Sequence, residues 1–264
     1  MLSVLSFASV LMSTSASASD NPMAFVGEAH NEAVWSLYCE NPDADVQDIP
    51  ELTADLWIAS GGDERYREEA VEWFTVLFNG EAEAVLERRV PAAVMKRYNE
   101  YMDLVEDANP DSLSTILADI DELDQVTMQE FSGQSRTLLL GTSAVLRSSS
   151  ELWLSDMISD EGSWEDNIQY QWKDGSGGVG IDWGEVIEAD ATGFFFGGVG
   201  AAGGAVLGAA WGGTLTLGTL TIPGAVVGGF VGLAVGSGGA SHLEFTKQDE
   251  VRDFVDGGGC DDIK

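Results

Sequence analysis

Apolar residues recur three and four positions apart through the first 160 residues, which is the spacing of one face of an amphipathic α-helix. Each segment with this pattern is bounded by Pro, Gly, Asn or Asp, which are residues that begin or end helices. The segments span residues 21–37, 49–60, 63–78, 81–107 (with a bend at Pro91), 110–131 and 136–158. The pattern predicts an all-α fold whose N-terminal part is a helical bundle with a common core.

The pattern changes after Asp190, because no acidic or basic side chain except His242 occurs before Glu244. Residues four apart share one face of a helix, so glycine at every fourth position leaves a groove without side chains. Such grooves let helix backbones approach closely in lipid, whereas each glycine costs a helix in water about 1 kcal/mol. Two ladders have this spacing: Gly200, Gly204, Gly208 and Gly212, and then Gly224, Gly228, Gly232 and Gly236.

The two ladders lie in apolar stretches, 192–212 and 223–240, close to the roughly 20 residues that cross a bilayer. Pro223 suits the first turn of the second helix, and the uncharged residues 213–222 are predicted to form the tip. We therefore predict a glycine-zipper hydrophobic helical hairpin over residues 192–241 that enters a membrane or packs within it. The alternatives are a Gly/Ala-rich helical pair buried in a soluble fold, and glycine-rich loops or β-structure. Bulky residues between the glycines are expected to face lipid or a neighbouring helix: Phe194, Phe195, Phe196, Val199, Val206, Leu207 and Trp211.

The formal net charge of −33 comes from 45 Asp and Glu against 12 Lys and Arg. With 44% hydrophobic residues and eight tryptophans, the chain does not have the composition of a disordered acidic protein. The acidity is typical of a halophilic protein. It argues against nucleic acid as a partner, because phosphate binding needs clustered Lys and Arg, and against simple attraction to anionic lipid.

The first 19 residues contain an apolar run and then Ala16-Ser17-Ala18, which resembles the core and cleavage region of a secretory signal without its positive start. We expect export to the cell envelope membrane or the extracellular space; the alternative is a disordered apolar leader. Aromatic residues near the apolar span are typical of a membrane interface and also of protein cores; they are Trp164, Tyr170, Trp172 and Trp183. The predicted units are a signal peptide (1–19), a helical domain (20–160), an acidic linker rich in aromatics and Gly (161–191), the hairpin (192–241) and an acidic tail (242–264).

The chain has two cysteines, Cys39 and Cys260. In an exported protein they could form one disulfide, since a hairpin crosses a membrane twice and would leave both on the same side. Two unrelated thiols are the alternative. Neither the cysteines nor the histidines have the spacing of a metal site, so no metal or other cofactor is predicted.

His30 is the one histidine among carboxylates, and it could serve a hydrolase with its acidic neighbours. The segment lacks the two histidines four residues apart of a zinc protease, and the chain has no G-x-S-x-G elbow. A structural role for His30 and Asn31, in capping or in a hydrogen bond between helices, is favoured over a catalytic one. The residue patterns therefore predict that the protein is not an enzyme.

Residues 21–31 (NPMAFVGEAHN), with Val26, Gly27, His30 and Asn31, resemble the N-P-x-x-x-V-G-x-x-H-N opening of a family of exported Bacteroidota proteins. The resemblance extends to a small-residue, Ser-rich helix at 138–153 and to the Gly/Ala-rich segment 186–204. The heavy acidity departs from the family and is consistent with a halophilic member. The resemblance implies export and a glycine-rich tail; it implies no activity. A looser similarity links the tail to membrane-active bacteriocins with GxxxG motifs.

The sequence therefore predicts an exported, membrane-associated helical protein whose partner is a lipid bilayer, with self-association through the glycine ladders as a further expectation. Bacteriocin-like or pore-forming antagonism and a housekeeping envelope role are both open. The alternative, from another class, is a soluble helical binding module in which the Gly/Ala hairpin is buried.

Overall fold

The structure is a computed structural model that describes residues 21–41, 44, 47–59, 64–79, 90–155, 183–203, 214–217 and 220–223. The predicted signal peptide, residues 161–182 of the predicted linker and the acidic tail lie outside the described residues. So do all the ladder glycines except Gly200, and so does Cys260.

The described residues are mostly helical, with one small hairpin and short turns, which confirms the predicted all-α class. The strands β1 and β2 pair antiparallel, with Thr214 opposite Pro223 and Leu217 opposite Leu220. Single-turn 3-10 helices occupy Glu64–Tyr66 and Pro110–Ser112. The main elements are α1 (Ala24–Glu40), α2 (Ile49–Ala59), α3 (Arg67–Phe78), α4 (Ala92–Met102), α5 (Leu113–Glu130), α6 (Gly133–Ser155), α7 (Trp183–Gly203), β1 (Thr214–Leu217) and β2 (Leu220–Pro223).

Helix α6 is the central helix, and α1, α4, α5 and α7 all pack against it. The residues from Leu139 to Leu146 are all buried, so this stretch faces protein on every side. Small residues in it, such as Gly141 and Ala144, allow several helices to come close at once. Helices α2 and α3 pack on each other beside α1 and surround a smaller core that contains Trp57 and Phe74.

Helix boundaries follow local sequence signals. Helix α4 begins directly after Pro91, whose backbone is extended at φ −57° and ψ 136°, as expected of a residue that cannot continue a helix from before it. Helix α6 begins at Gly133, whose φ of +57° is easy for glycine because it has no Cβ. Helix α4 therefore starts at the bend predicted at Pro91, and α6 starts three residues before the predicted segment 136–158.

Helix α7 begins at Trp183, within the predicted linker and nine residues before the predicted hairpin. Its first part is packed in the protein core: Ala191, Phe194 and Phe195 are each 0% exposed. The sequence left open whether these two phenylalanines face lipid or a neighbouring helix; in the structure they contact neighbouring helices. Trp183 is also buried, with its ring stacked on that of Trp153 at 6.0 Å between centroids, so it is a core residue.

The hairpin β1–β2 occupies the stretch that the sequence predicts as the uncharged tip, and it forms short strands there. Pro223, which was expected in the first turn of a second helix, is the last residue of β2. None of the helices within the described ranges combines the length and apolarity that a membrane crossing requires. Residues 204–213 and 224–241, which contain most of both ladders, lie outside those ranges.

The contact between Gly141 and Phe194 gives a testable prediction. A Cβ atom on residue 141 would lie 2.6 Å from both Cε1 and Cζ of the Phe194 ring, which is fully buried and has little room to move. We expect Gly141→Ala to lower the free energy of unfolding by about 1–3 kcal/mol, measured by urea denaturation. Combining it with Phe194→Leu should cost less than the sum of the two single changes; strict additivity would contradict the close contact.

Candidate functional site: two buried carboxylate clusters

The central helix carries a row of buried hydroxyl groups that meet carboxylates from neighbouring helices. Thr142, Ser143, Ser149 and Ser150 of α6 are each 0% exposed. Thr142 and Ser150 donate to carbonyl oxygens one turn earlier in α6, at 3.0 and 2.7 Å. Ser143 and Ser149 instead donate to Asp124 of α5 and Asp190 of α7. Each of these two serines therefore joins α6 to another helix.

The Asp124 cluster consists of Asn21, Tyr101, Asp124 and Ser143. Asp124 Oδ1 accepts hydrogen bonds from the Tyr101 hydroxyl at 2.7 Å and from the Ser143 hydroxyl, and its Oδ2 accepts one from Asn21 Nδ2 at 2.8 Å. Asn21 Nδ2 also donates to the carbonyl oxygen of Leu140 at 3.0 Å. The carboxylate thereby ties the start of the described chain to α4, α5 and α6 through neutral donors.

This cluster continues to the protein surface through Arg97. The Tyr101 hydroxyl lies 3.0 Å from Thr127 Oγ1, which accepts from Arg97 Nη1 at 2.9 Å. The Arg97 guanidinium also binds Glu100 and Glu130, each at 2.7 Å, and it lies over the ring of Phe131. The network therefore connects α4 with the C-terminal end of α5 and with Phe131, which follows it.

Burial raises the pKa of Asp124 above its usual range, although the hydrogen bonds from Ser143, Tyr101 and Asn21 act in the opposite direction. Burial and the nearby Asp124 charge also raise the pKa of Tyr101, which therefore stays a neutral donor. A carboxyl whose pKa is higher in the folded state than in the unfolded state binds protons more tightly when folded. Its contribution to stability is complete at low pH and is lost as pH rises through the folded-state pKa.

This sign gives a pH prediction. As pH falls from about 7 to about 4, wild type should gain stability relative to the Asp124→Asn variant, which cannot bind that proton. The measurement is urea denaturation of both proteins at matched salt across the pH range. Asp111→Asn, at an exposed acid, is the matched control and should follow wild type. A difference between wild type and Asp124→Asn that does not change with pH would contradict the raised pKa.

The Asp190 cluster consists of His30, Ser149, Trp153 and Asp190, and it joins α1, α6 and α7. Asp190 Oδ2 accepts hydrogen bonds from Ser149 Oγ at 2.6 Å and from Trp153 Nε1 at 3.2 Å. His30 Nε2 lies 3.2 Å from the same oxygen, and both side chains are 0% exposed. Asp190 Oδ1 accepts no hydrogen bond from any described residue. One carboxylate oxygen therefore holds together three helices.

The polar contacts of the Asp190 cluster join helices α1, α6 and α7. The Ser149 hydroxyl is bonded to Asp190 and not to the imidazole, so the three groups do not form a nucleophile activated by a base. His30, Ser149, Trp153 and Asp190 are all buried. Within the described ranges, no three His, Cys, Asp or Glu side chains converge where a metal ion could bind.

The motif residues singled out in the sequence all lie on α1, and they face α6 and α7. Val26 is in the core, and Gly27 lies against Ala144 and Ser148 of α6. His30 approaches Asp190, and Asn31 Nδ2 donates to the Ser148 carbonyl oxygen at 3.0 Å, which is a hydrogen bond between helices. The three segments that carry the family resemblance are therefore packed against one another.

The other singled-out residues are only partly within the described ranges. Gly200 lies in α7, and Cys39 lies in α1. The remaining ladder glycines (Gly204, Gly208, Gly212, Gly224, Gly228, Gly232 and Gly236) and Cys260 lie outside them, so the predicted close packing and the predicted disulfide stay predictions.

Two residues that define the clusters, Asp124 and Asp190, were not singled out in the sequence. A signal existed for both, because each occupies an apolar row of its helix. Asp124 follows Ile116 and Ile120 at intervals of four residues, and Asp190 lies four residues after Val186 and four before Phe194. If the apolar residues of such a row are buried, a carboxylate in the same row must be buried with them. Its partners come from distant parts of the chain and carry no local signal.

In comparisons with known proteins, the chain matches no protein-family model, no curated protein and no solved structure.

Proposed function

We propose that this is an exported, non-enzymatic protein whose helical domain anchors a glycine-rich C-terminal segment and shields it until that segment packs in or inserts into a membrane. The observation that carries the proposal is the continuity of α7. One helix runs from Trp183, in the protein core, to Gly203, within the first glycine ladder. The domain and the ladder are thus joined without a flexible connection.

The charge distribution supports the same function. The outer face of α7 has Glu185 and Glu188, and after Asp190 the chain has no charged side chain except His242 until Glu244. The uncharged β1–β2 hairpin falls in the middle of this stretch. A segment with an uncharged tip meets no charge-desolvation cost on entering the hydrocarbon core. The segment is therefore suited to enter a bilayer from the side on which the helical domain lies.

Vesicle flotation in high salt tests this function on the full mature chain. We expect the protein to float with the vesicles, and protease treatment to leave a protected fragment of about 5 kDa, as expected for a hairpin of roughly 50 residues. The variants Gly204→Leu and Gly228→Leu should lose association or folding if the ladders pack closely. The matched controls Ala205→Leu and Ala225→Leu change residues beside the ladders and should retain it. A protein that stays in the aqueous phase overturns the proposal.

A second function, a soluble helical binding module, is favoured by one observation: the first part of α7 is covered by protein. Phe194 contacts Gly141, and the ring of Phe195 stacks on that of Tyr98 at 4.2 Å between centroids. On this alternative the glycine-rich segment completes the core instead of entering lipid. The two differ in the protease experiment, because the soluble module leaves no fragment that depends on vesicles. Bacteriocin-like antagonism, a housekeeping envelope role, halophily and the Bacteroidota resemblance remain hypotheses.

A further inference from the structure

We propose that the outer edge of β1 is an interface through which two copies of this chain pair, strand to strand, into one four-stranded antiparallel sheet. The contact consists of main-chain hydrogen bonds at Thr214 and Thr216, so it is distinct from the glycine ladders on either side of the hairpin. This inference goes beyond the proposed membrane function and does not depend on it, because the pairing can be measured without lipid.

The first step is to establish which backbone groups of the hairpin point outward. Leu217 and Leu220 pair across a two-residue connection, and the pair that closes such a connection exchanges hydrogen bonds. Hydrogen-bonded and non-hydrogen-bonded pairs alternate along an antiparallel ladder, so the N–H and C=O groups of Thr214 and Thr216 point away from β2. Pro223 agrees with this alternation, because it lacks the N–H that a hydrogen-bonded pair with Thr214 would need.

The second step is that the two edges of the hairpin are not equivalent. On the outer edge of β2, Thr221 offers an N–H and a C=O group, but Pro223 offers only a carbonyl oxygen. Proline, charged side chains and bulges are the usual features that prevent an edge strand from pairing further. Strand β1 contains no proline and no charged residue, and its register with β2 has no bulge. The outer edge of β1 is therefore the edge that can add a strand.

The third step is that the sheet is small for an independent unit. Among the described residues it has two strands, and an isolated two-stranded hairpin is marginally stable at best in water. Leu215 lies opposite Ile222 and Leu217 lies opposite Leu220, so these four aliphatic residues share one face of the hairpin. A sheet of three or more strands with an apolar face can be stable by itself. Added strands would therefore stabilise this hairpin.

Charge and symmetry favour a second copy of the chain as the partner. Two copies with a net charge of −33 each repel one another, so a contact between them is favoured where acidic residues are absent. Strand β1 lies in the stretch between Asp190 and Glu244 that has no acidic or basic side chain except His242. A single strand can also pair antiparallel with its own copy about a two-fold axis, which makes the edge complementary to itself.

The alternation of hydrogen bonds also gives the register of the proposed pair. The register that uses both outward-facing threonines of each copy has the two-fold axis at Leu215. Thr214 of one copy then lies opposite Thr216 of the other, and each such pair exchanges two hydrogen bonds. Leu215 lies opposite Leu215 of the second copy in a pair without hydrogen bonds, with about 4.5 Å between the Cα atoms. The aliphatic faces of both hairpins lie on the same side of the sheet, because paired residues share a face.

Sedimentation velocity of the full mature chain in lipid-free buffer tests the interface, and we expect a monomer–dimer equilibrium. Thr216→Pro removes an outward N–H and keeps the hydrogen bonds between β1 and β2. Because the interface is symmetric, two bonds between the copies are lost, and the dissociation constant should rise at least about tenfold. Thr221→Pro makes the same change on the outer edge of β2, and this matched control should alter the dissociation constant by less than about twofold.

Disulfide trapping is a second measurement that does not depend on a proline variant. In a Cys39→Ser, Cys260→Ser background, Leu215→Cys should form a covalent dimer on mild oxidation, because the facing residues lie within the distance of a disulfide. The control is Ile222→Cys, on the same face of the hairpin but on β2. In the proposed sheet the two copies of residue 222 are three strand spacings apart, about 14 Å, so trapping should be at least about tenfold slower.

The interface is overturned if wild type sediments as a monomer at about 100 μM, or if Ile222→Cys is trapped as fast as Leu215→Cys. Equal weakening of the dimer by Thr216→Pro and Thr221→Pro also overturns it, because self-association would then use another surface. Vesicle flotation of the same samples separates the two proposals. Trapping in lipid-free buffer without flotation supports the interface and overturns the membrane function. Flotation without trapping overturns the interface and supports the membrane function.

Discussion

Replacing Phe195 by alanine should lower the free energy of unfolding by about 3–5 kcal/mol, the usual cost of removing a buried phenylalanine ring. The ring is 0% exposed and stacks on Tyr98 with 4.2 Å between centroids, so its removal leaves a cavity between α7 and α4. Urea denaturation gives the change directly. In a thermal scan we expect a fall in Tm of roughly 10 °C for a protein of this size.

The control for Phe195→Ala is Phe78→Ala on α3, at a half-buried phenylalanine, which should cost clearly less. Both variants change the same side chain, so the comparison isolates burial. Unchanged stability of Phe195→Ala would mean that this part of the chain does not belong to the domain core. In that case the residues from 192 onward would belong to the predicted membrane hairpin and not to the helical domain. The prediction therefore decides to which unit α7 belongs.

A large effect at Phe195 would change the meaning of the charge-free stretch that follows Asp190. The first residues of that stretch cover the protein core, and the glycine ladder begins on the same helix at Gly200. Movement of the ladder then requires either a break in α7 or release of the whole helix. The buried side chain of Asp190 lies on the part that would have to be released.

The helices of the N-terminal domain could be predicted because their signals are local. Apolar rows three and four residues apart, Pro91 before α4 and Gly133 at the start of α6 each lie within a few residues of the feature that they predict. Val26 and Gly27 were singled out as motif residues, and both lie in packed positions. The helices follow from periodicity and backbone conformation, whereas Val26 and Gly27 were singled out by the family resemblance.

The start of α7 and the two clusters could not be predicted in the same way. Glu185, Glu188 and Asp190 look like one acidic flank, but the first two are exposed and the third is 0% exposed. Helical periodicity places Asp190 in the apolar row of α7. The absence of charged residues, however, begins only after Asp190, so the sequence assigned Asp190 to the acidic linker and not to the apolar segment. His30, whose Nε2 lies 3.2 Å from Asp190 Oδ2, is 160 positions earlier in the chain. Such pairing depends on the packing of helices, which no local pattern contains.

Replacing Gly27 by alanine should lower the free energy of unfolding by about 2–3 kcal/mol, which is large for the addition of one methyl group. A Cβ atom at residue 27 would lie 2.2 Å from Ser148 Oγ and 2.4 Å from the carbonyl oxygen of Ala144. The Ser148 side chain can turn aside, but the carbonyl oxygen belongs to the backbone of α6. Helix α1 must therefore move away from α6. This shift would also strain the contact of His30 with Asp190, one turn further along α1.

Two controls separate this close approach from other causes of instability. Glu28→Ala, at the exposed neighbouring residue, should change stability by less than about 0.5 kcal/mol. Ser148→Ala in the Gly27→Ala background removes the hydroxyl but leaves the Ala144 carbonyl oxygen, so we expect it to restore less than half of the loss. Full recovery of stability would contradict the view that the Ala144 carbonyl oxygen sets the shortest distance between α1 and α6. Partial recovery would mean that a glycine is required at position 27 because helix backbones meet there, the same kind of contact that the glycine ladders are predicted to make.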